Sequence, residues 1–112
     1  MVNKVILIGN LGKDPECKVL QSGQMVTNLT VATAEKWKDK DGNPQEATEW
    51  HNCQIWGKGA EIAEKYLKKG SKVFIEGKIK TRSYEKDGQT RYATEIIVKE
   101  FNFLDSKAKD EF

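Results

Sequence analysis

Thr48-Glu49-Trp50-His51-Asn52-Cys53-Gln54-Ile55-Trp56-Gly57-Lys58 is the stretch on which the reading of this chain turns. Read as a strand, it alternates faces with period two. His51, Cys53 and Ile55 point one way and suit a core. Trp50, Asn52, Gln54 and Trp56 point the other way. That second face carries two large rings about 20 Å apart, at roughly 3.3 Å per residue, with two amides between them. A core face rarely places Asn and Gln between tryptophans, and a solvated face rarely carries the tryptophans. A surface that stacks flat, polar-edged ligands needs both, and nucleobases are such ligands.

Outward from this stretch, the chain offers residues for one domain. Its 112 residues support one core without staples. Residues 1–104 read as the domain and 105–112 as a short charged tail without periodicity. The formal net charge is only +2, so any case for an anionic partner rests on where the charges sit. Cys17 and Cys53 are too few for a disulfide framework and read as free thiols of a reducing compartment. No signal, transit or membrane-spanning segment is evident, since Val5 to Ile8 is the longest apolar run. The expected location is the cytosol.

The remaining elements follow from periodicity. Val2 to Leu11 predicts a strand, and Val5-Ile6-Leu7-Ile8 is apolar on both faces. Gly9-Asn10 and Gly12 permit a bend or bulge, Asp14-Pro15 breaks the element, and Cys17 to Leu20 is a candidate pairing segment. Met25 to Glu35 predicts a second strand, with Trp37 just beyond it among Lys36, Lys38 and Lys40. The polar loop Asp39 to Pro44 leads into a third strand, Ala47 to Trp56. Lys58 to Lys69 predicts a helix with Ile62, Ala63, Tyr66 and Leu67 on one face and Gly70 at its C-terminal end. Lys72 to Tyr84 and Gln89 to Phe101 predict two strands joined by an Asp87-Gly88 turn. On the first of these, Val73, Ile75, Gly77 and Ile79 face the core, whereas Lys78, Lys80, Arg82 and Tyr84 face out. The order β-β-β-α-β-β matches the OB-fold, a five-stranded Greek-key barrel. An open sandwich of the same order fits the periodicity equally well.

The outward faces interleave rings with cations. Trp50 and Trp56 read as two stations of one stacking track, continued by Tyr84 and Trp37, with Lys58, Lys80 and Arg82 close in sequence. Single-stranded nucleic acid needs this combination: rings for unpaired bases and cations for phosphates. Each residue also has a plainer role. A strand tryptophan is more often core, Tyr84 can simply cap a barrel end, and lysines on an edge guard against aggregation. Catalytic patterns are missing: one histidine and two separated cysteines make no zinc cluster, and no phosphate-binding glycine loop precedes a helix. No cofactor or metal is expected. Competing readings are an OB-fold protein-interaction module, an RNA binder and an OB-fold nuclease.

These residues resemble the bacterial-type single-stranded DNA-binding protein family over about residues 2 to 104. The resemblance is carried by Val2 to Gly12 with Asp14-Pro15-Glu16, Ala32-Thr33 leading to Trp37, Thr48-Glu49-Trp50-His51, and Trp56-Gly57-Lys58. It continues through Ala63 to Gly70, Ile75-Glu76-Gly77, Thr81 to Tyr84 and Arg91 to Glu95. It implies a homotetrameric OB-fold protein that binds single-stranded DNA with little sequence preference in replication, recombination and repair. The family's stacking aromatics fall on Trp37, Trp50, Trp56 and Tyr84, and its basic contacts on Lys4, Lys58, Lys69, Lys80 and Arg82. A Phe is common where Trp56 stands, a Trp where Tyr84 stands, and a Lys where Ser83 stands. Subunit interfaces are expected at the first strand, through Val5 and Leu7, and at His51. Typical members add a long Gly/Pro/Gln-rich linker and an acidic tip that recruits genome-maintenance proteins. Here Asp110-Glu111-Phe112 follows the domain almost at once, as a vestigial tip or an ordinary charged end. Such a member fits the bacterial nucleoid or a phage or mobile element.

Overall fold

In the computed structural model, which describes residues 1–104, six strands and one helix follow each other as β1 (Val5–Leu11), β2 (Glu16–Val19), β3 (Met25–Lys38), β4 (Pro44–Trp56), α1 (Lys58–Tyr66), β5 (Lys72–Lys86) and β6 (Gln89–Phe103). The decisive strand is β1, because two others share it. Residues Val5 to Asn10 pair antiparallel with β5, and Asn10 and Leu11 pair with Ala32 and Val31 of β3. With β3 on β4, β4 parallel to β6 at Cys53 and Gln54, and β6 on β5, the ring β1-β5-β6-β4-β3 closes. The structure is thus the closed OB barrel and not the open sandwich. The Cys17 to Leu20 segment becomes β2, a short strand on the outer edge of β3.

Closure depends on two glycines. A Cβ on Gly9 would overlap the Ala32 carbonyl, and one on Gly77 would overlap the Ile97 carbonyl. Gly77 also sits at a β-bulge, where Glu76 faces Glu100 but Gly77 faces Val98. The extra residue, Lys99, shifts the phase of β6, so Ile96 and Val98 hand over the inward positions to Phe101.

Alternating residues fill the ring as the periodicity predicts. Leu29, Val31, Cys53, Ile55, Val73, Ile75 and Ile96 are buried. The helix plugs one end of the barrel with small residues, Ala60 and Ala63, and the Thr27 hydroxyl donates to the Ala60 carbonyl at 2.7 Å. Ile62 and Tyr66, expected on the buried face, are exposed. The helix also stops at Tyr66 rather than at Lys69. Leu67 takes an extended conformation, which leaves its side chain buried in the core cluster. Gly70 consequently belongs to a separate turn, closed by the bond from Ser71 N–H to Lys68 O.

Both long hairpins run past the barrel as arms. In the β3–β4 arm the strands extend to Lys38 and Pro44, so Trp37 lies within β3 instead of beyond it. In the β5–β6 arm, Asp87 and Gly88 both have positive φ, the geometry of a two-residue hairpin turn. Ile79 starts this arm and is half exposed, because the barrel ends beneath it.

Gly9→Val tests closure directly. The added side chain meets the Ala32 backbone, so it should cost at least about 1–3 kcal/mol in urea unfolding, the range for overpacking. An unchanged unfolding midpoint would show that the β1–β3 contact is dispensable.

Candidate nucleic-acid interface

The face of β4 that carries Trp50, Asn52, Gln54 and Trp56 is aligned with one face of β3. Register pairs Trp50 with Ala32, Asn52 with Thr30, Gln54 with Asn28 and Trp56 with Val26. Across the sheet, the same outer face of β5 and β6 carries Lys78 opposite Ile97, Lys80 opposite Glu95, and Arg82 opposite Ala93. Between these two banks lies a groove of about 700 Å³. Asn28, Thr30, Asn52, Gln54 and Trp56 form its floor and one wall; Lys78, Lys80 and Arg82 form the other. Lys13 and Lys18, from β2 and the loop before it, also line it.

The four expected aromatic residues all reach solvent: Trp50 is 60% exposed, Trp37 48%, Trp56 39% and Tyr84 38%. They do not form one continuous row. Trp50 and Trp56 share a face. The Trp50 ring lies over Gly12, where even a Cβ would collide with it. Trp37 lies an odd number of residues beyond Ala32, the partner of Trp50, so it projects from the opposite face of the β3–β4 arm. There it borders a separate hollow of about 480 Å³ with Lys36, Lys38 and Gln45. The tip of this arm is braced by Asp39, whose carboxylate accepts from the N–H groups of Asp41 and Asn43 at 2.9 Å each and from Gln45 Nε2 at 3.2 Å. The Asn43 bond is the chief reason that the Asp39 carboxyl titrates below its ordinary range.

The expected cations separate into four places. Lys80 and Arg82 line the groove. Lys69 sits in the turn after the helix, where its N–H donates to Asp14 Oδ1 at 2.8 Å and the next residue, Gly70, donates to Leu11 O. It therefore flanks the Leu11–Asp14 segment on which Trp50 rests. Lys58 opens α1 one glycine after Trp56. Lys4 is away from the groove and pairs with Glu76 at 3.7 Å.

The expected interface residues also divide. Val5 and Leu7 pack against the core cluster. The apolar residues that β1 leaves exposed are Ile6 and Ile8, at 56% and 54%. β1 alternates, and closing the ring draws its odd-numbered residues inward. His51 is half-buried and shares a 2.8 Å hydrogen bond with the Thr33 hydroxyl. The tail residues Asp110, Glu111 and Phe112 lie outside the described residues.

Sequence reading missed Lys13, Lys18, Asn28, Thr30 and Glu95 as groove residues. Parity alone puts Asn28 and Thr30 on an outer face, but only the pairing of Asn28 with Gln54 and of Thr30 with Asn52 brings them to this groove. Among the described residues, no group of three or more His, Cys, Asp or Glu side chains is placed to hold a metal ion. No helix among them is long and apolar enough to cross a membrane.

A closed OB barrel with exposed rings and a basic bank along one groove defines a binding module of the OB class. The chain belongs to the single-strand binding protein family, whose model matches residues 2–104. It is 52% identical over 108 residues to single-stranded DNA-binding protein 1 of Chlorobaculum tepidum, covering 95% of this chain and 67% of that protein. A Plasmodium falciparum SSB solved in complex with ssDNA superposes with a TM-score of 0.84 at 33% identity, covering 94% of this chain and 96% of that one. A deletion mutant of the single-stranded DNA-binding protein from Thermus aquaticus gives 0.82 at 27% identity, and this chain spans 52% of its length. Proteins of this family are non-enzymatic, which removes the nuclease reading.

Cys53 lies under the groove floor, and burial pushes its thiol up from 9.0 to about 12. The folded chain thus holds this proton more tightly than the unfolded chain. Its contribution is complete below pH 9 and is lost as the pH rises towards about 12. Urea unfolding across that range should show a decline of up to about 1.4 kcal/mol per pH unit that Cys53→Ala lacks. Parallel curves for the two proteins would mean that the thiol is hydrated.

Proposed function

We propose that this chain binds and protects single-stranded DNA with little regard to sequence, in replication, recombination and repair. Unpaired bases stack on Trp37, Trp50, Trp56 and Tyr84. Lys80 and Arg82 follow the phosphates through the groove, and Lys58 and Lys69 follow them past the helix and the Trp50 shelf. Lys4 joins them only if its pair with Glu76 opens. The observation that carries this reading is the groove itself: an exposed Trp56 and a polar floor face a bank of three cations. Family membership and the Plasmodium SSB–ssDNA complex support it. Four rings at about 1–3 kcal/mol per stacked base give roughly 4–12 kcal/mol before ordering costs. Stacking accepts any base, which accounts for tolerance of sequence.

The working form in this proposal is a homotetramer in the cytoplasm of its host. The exposed Ile6 and Ile8 of β1, with His51 near the mouth of the β3–β4 arm, supply surface for contact between copies. Recruitment of genome-maintenance proteins through Asp110, Glu111 and Phe112 is a separate part of the proposal.

Titration with oligo(dT) should quench tryptophan fluorescence, with affinity falling steeply as salt rises. No quenching at low salt would overturn the reading. Trp50→Ala should cost about 1–3 kcal/mol, roughly 5- to 150-fold in affinity. A matched RNA oligomer that binds more tightly than the DNA would favour a site that reads the 2′-hydroxyl.

Replacing Ile6 and Ile8 together by Asp should lower the mass seen by light scattering while leaving the circular dichroism of the barrel intact. An unchanged mass would move the interface elsewhere.

A further inference from the structure

One carboxylate stands where a phosphate-binding groove would least tolerate it. Glu95 lies directly opposite Lys80 in register and lines the groove, yet only 9% of its surface is exposed. An unpaired buried carboxylate there would repel each phosphate brought into the groove. Glu95 is not unpaired. Arg82 Nε donates to its Oε1 at 2.6 Å. This bond grips the guanidinium by its side edge. Among the described residues Arg82 pairs with no second carboxylate, and its hydrogen bond to Glu95 runs through Nε. The same guanidinium lies over the Tyr84 ring, 5.5 Å from its centroid. Three groups are therefore linked in series: a buried carboxylate, an arginine and a stacking ring.

An arginine on an open hairpin arm samples many rotamers, and freezing it on binding costs affinity. The planar fork of arginine loses less of this freedom once one edge is tied down. Glu95 ties it during folding, before any ligand arrives. A cation on one face of Tyr84 also leaves the other ring face for a base.

We propose that Glu95 is a positioning residue for single-stranded DNA binding: it holds Arg82 so that its terminal amino groups meet a phosphate while its guanidinium backs the Tyr84 ring. Glu95 itself touches no DNA. The inference rests on the single-stranded DNA reading above and adds a role that charge alone predicts in the opposite sense. Removing a negative charge from a phosphate groove should tighten binding; removing a positioning carboxylate should loosen it.

The test uses the full chain, oligo(dT) as the probe, and fluorescence titration at several salt concentrations. Glu95→Gln is expected to weaken binding several-fold although the protein becomes more positive. The salt dependence should become shallower by about 0.7 in the log–log slope, one phosphate contact on a single strand. The same substitution is then made in an Arg82→Gln background, where Gln keeps a hydrogen-bond donor beside Glu95 and protects the fold. There Glu95→Gln is expected to tighten binding, since only repulsion is left to remove. This reversal of sign is the signature of positioning, and thermal unfolding of each variant separates it from loss of structure. Tighter binding in both backgrounds would show that Glu95 only repels and would overturn the proposal. Equal weakening in both would show that Glu95 acts through the fold and would also overturn it. Failure of the unaltered chain to bind oligo(dT) at low salt would instead overturn the DNA reading.

Discussion

Everything in this fold depends on one strand being paired on both sides. β1 must pair with β5 along most of its length and then reach β3 at Asn10 and Leu11. Without that reach, the β3–β4 and β5–β6 hairpins would be joined chiefly by the two-residue parallel contact of Cys53 and Gln54 with Ile96 and Ile97. Gly9 makes the approach possible by presenting no side chain to the Ala32 carbonyl. Closure then fixes which residues are core, because every strand must turn Leu29, Cys53, Val73 or their in-phase neighbours inward at once. It also sets the two outer hairpin faces on either side of one groove. The candidate binding surface is thus a by-product of how the ring is shut.

Much of this was legible in the sequence because the barrel strands obey period two. The split between His51, Cys53 and Ile55 and Trp50, Asn52, Gln54 and Trp56 is read directly from alternation, and the burial of Cys53 and Ile55 follows it. The Asp87-Gly88 turn was equally plain, since few residue pairs adopt two positive φ values in succession. Closure was not legible, because periodicity describes a strand and not its neighbours. The helix end is hidden for a related reason: Leu67 fits a helical stripe as well as it fits an extended chain turned into the barrel. Tertiary packing, not propensity, decides between the two. For β1, an apolar run on both faces gave no parity at all, so Val5 and Leu7 were as good a choice of outer face as Ile6 and Ile8.

The site shows the same division between local and non-local information. Exposure of the tryptophans was readable because Trp50 and Trp56 share their face with the amides Asn52 and Gln54, and Trp37 stands between two lysines. Their grouping was not, since Trp37 and Trp50 lie on different strands and only register shows that they occupy opposite faces of one arm. Charge shows it too. The chain is nearly neutral, at +2, and several of its cations are already paired: Lys4 with Glu76, Lys13 with Glu16, Arg82 with Glu95. Lys18, Lys78 and Lys80 line the groove and make no ion pair among the described residues. A weak net charge therefore conceals a local excess of positive charge along one path, which is the quantity that a phosphate backbone responds to.

Two readings of the arm lysines, as a solvated edge and as phosphate contacts, need not compete. A hairpin that leaves the barrel exposes strand edges and, here, large rings as well, a combination that invites association with other chains. Lys36, Lys38 and Glu46 on one arm, and Lys80, Arg82 and Lys86 on the other, put charge beside those edges and rings. Charge beside a strand edge disfavours edge-to-edge pairing with another chain. With a polyanion present, the cations among these residues lie beside the rings on which its bases would stack. Exposed aromatic surface that is a liability in the free chain is thus kept soluble by the same side chains that the proposed ligand would neutralise. Removing the lysines should therefore cost more than binding, because the rings they flank would be left without a guard.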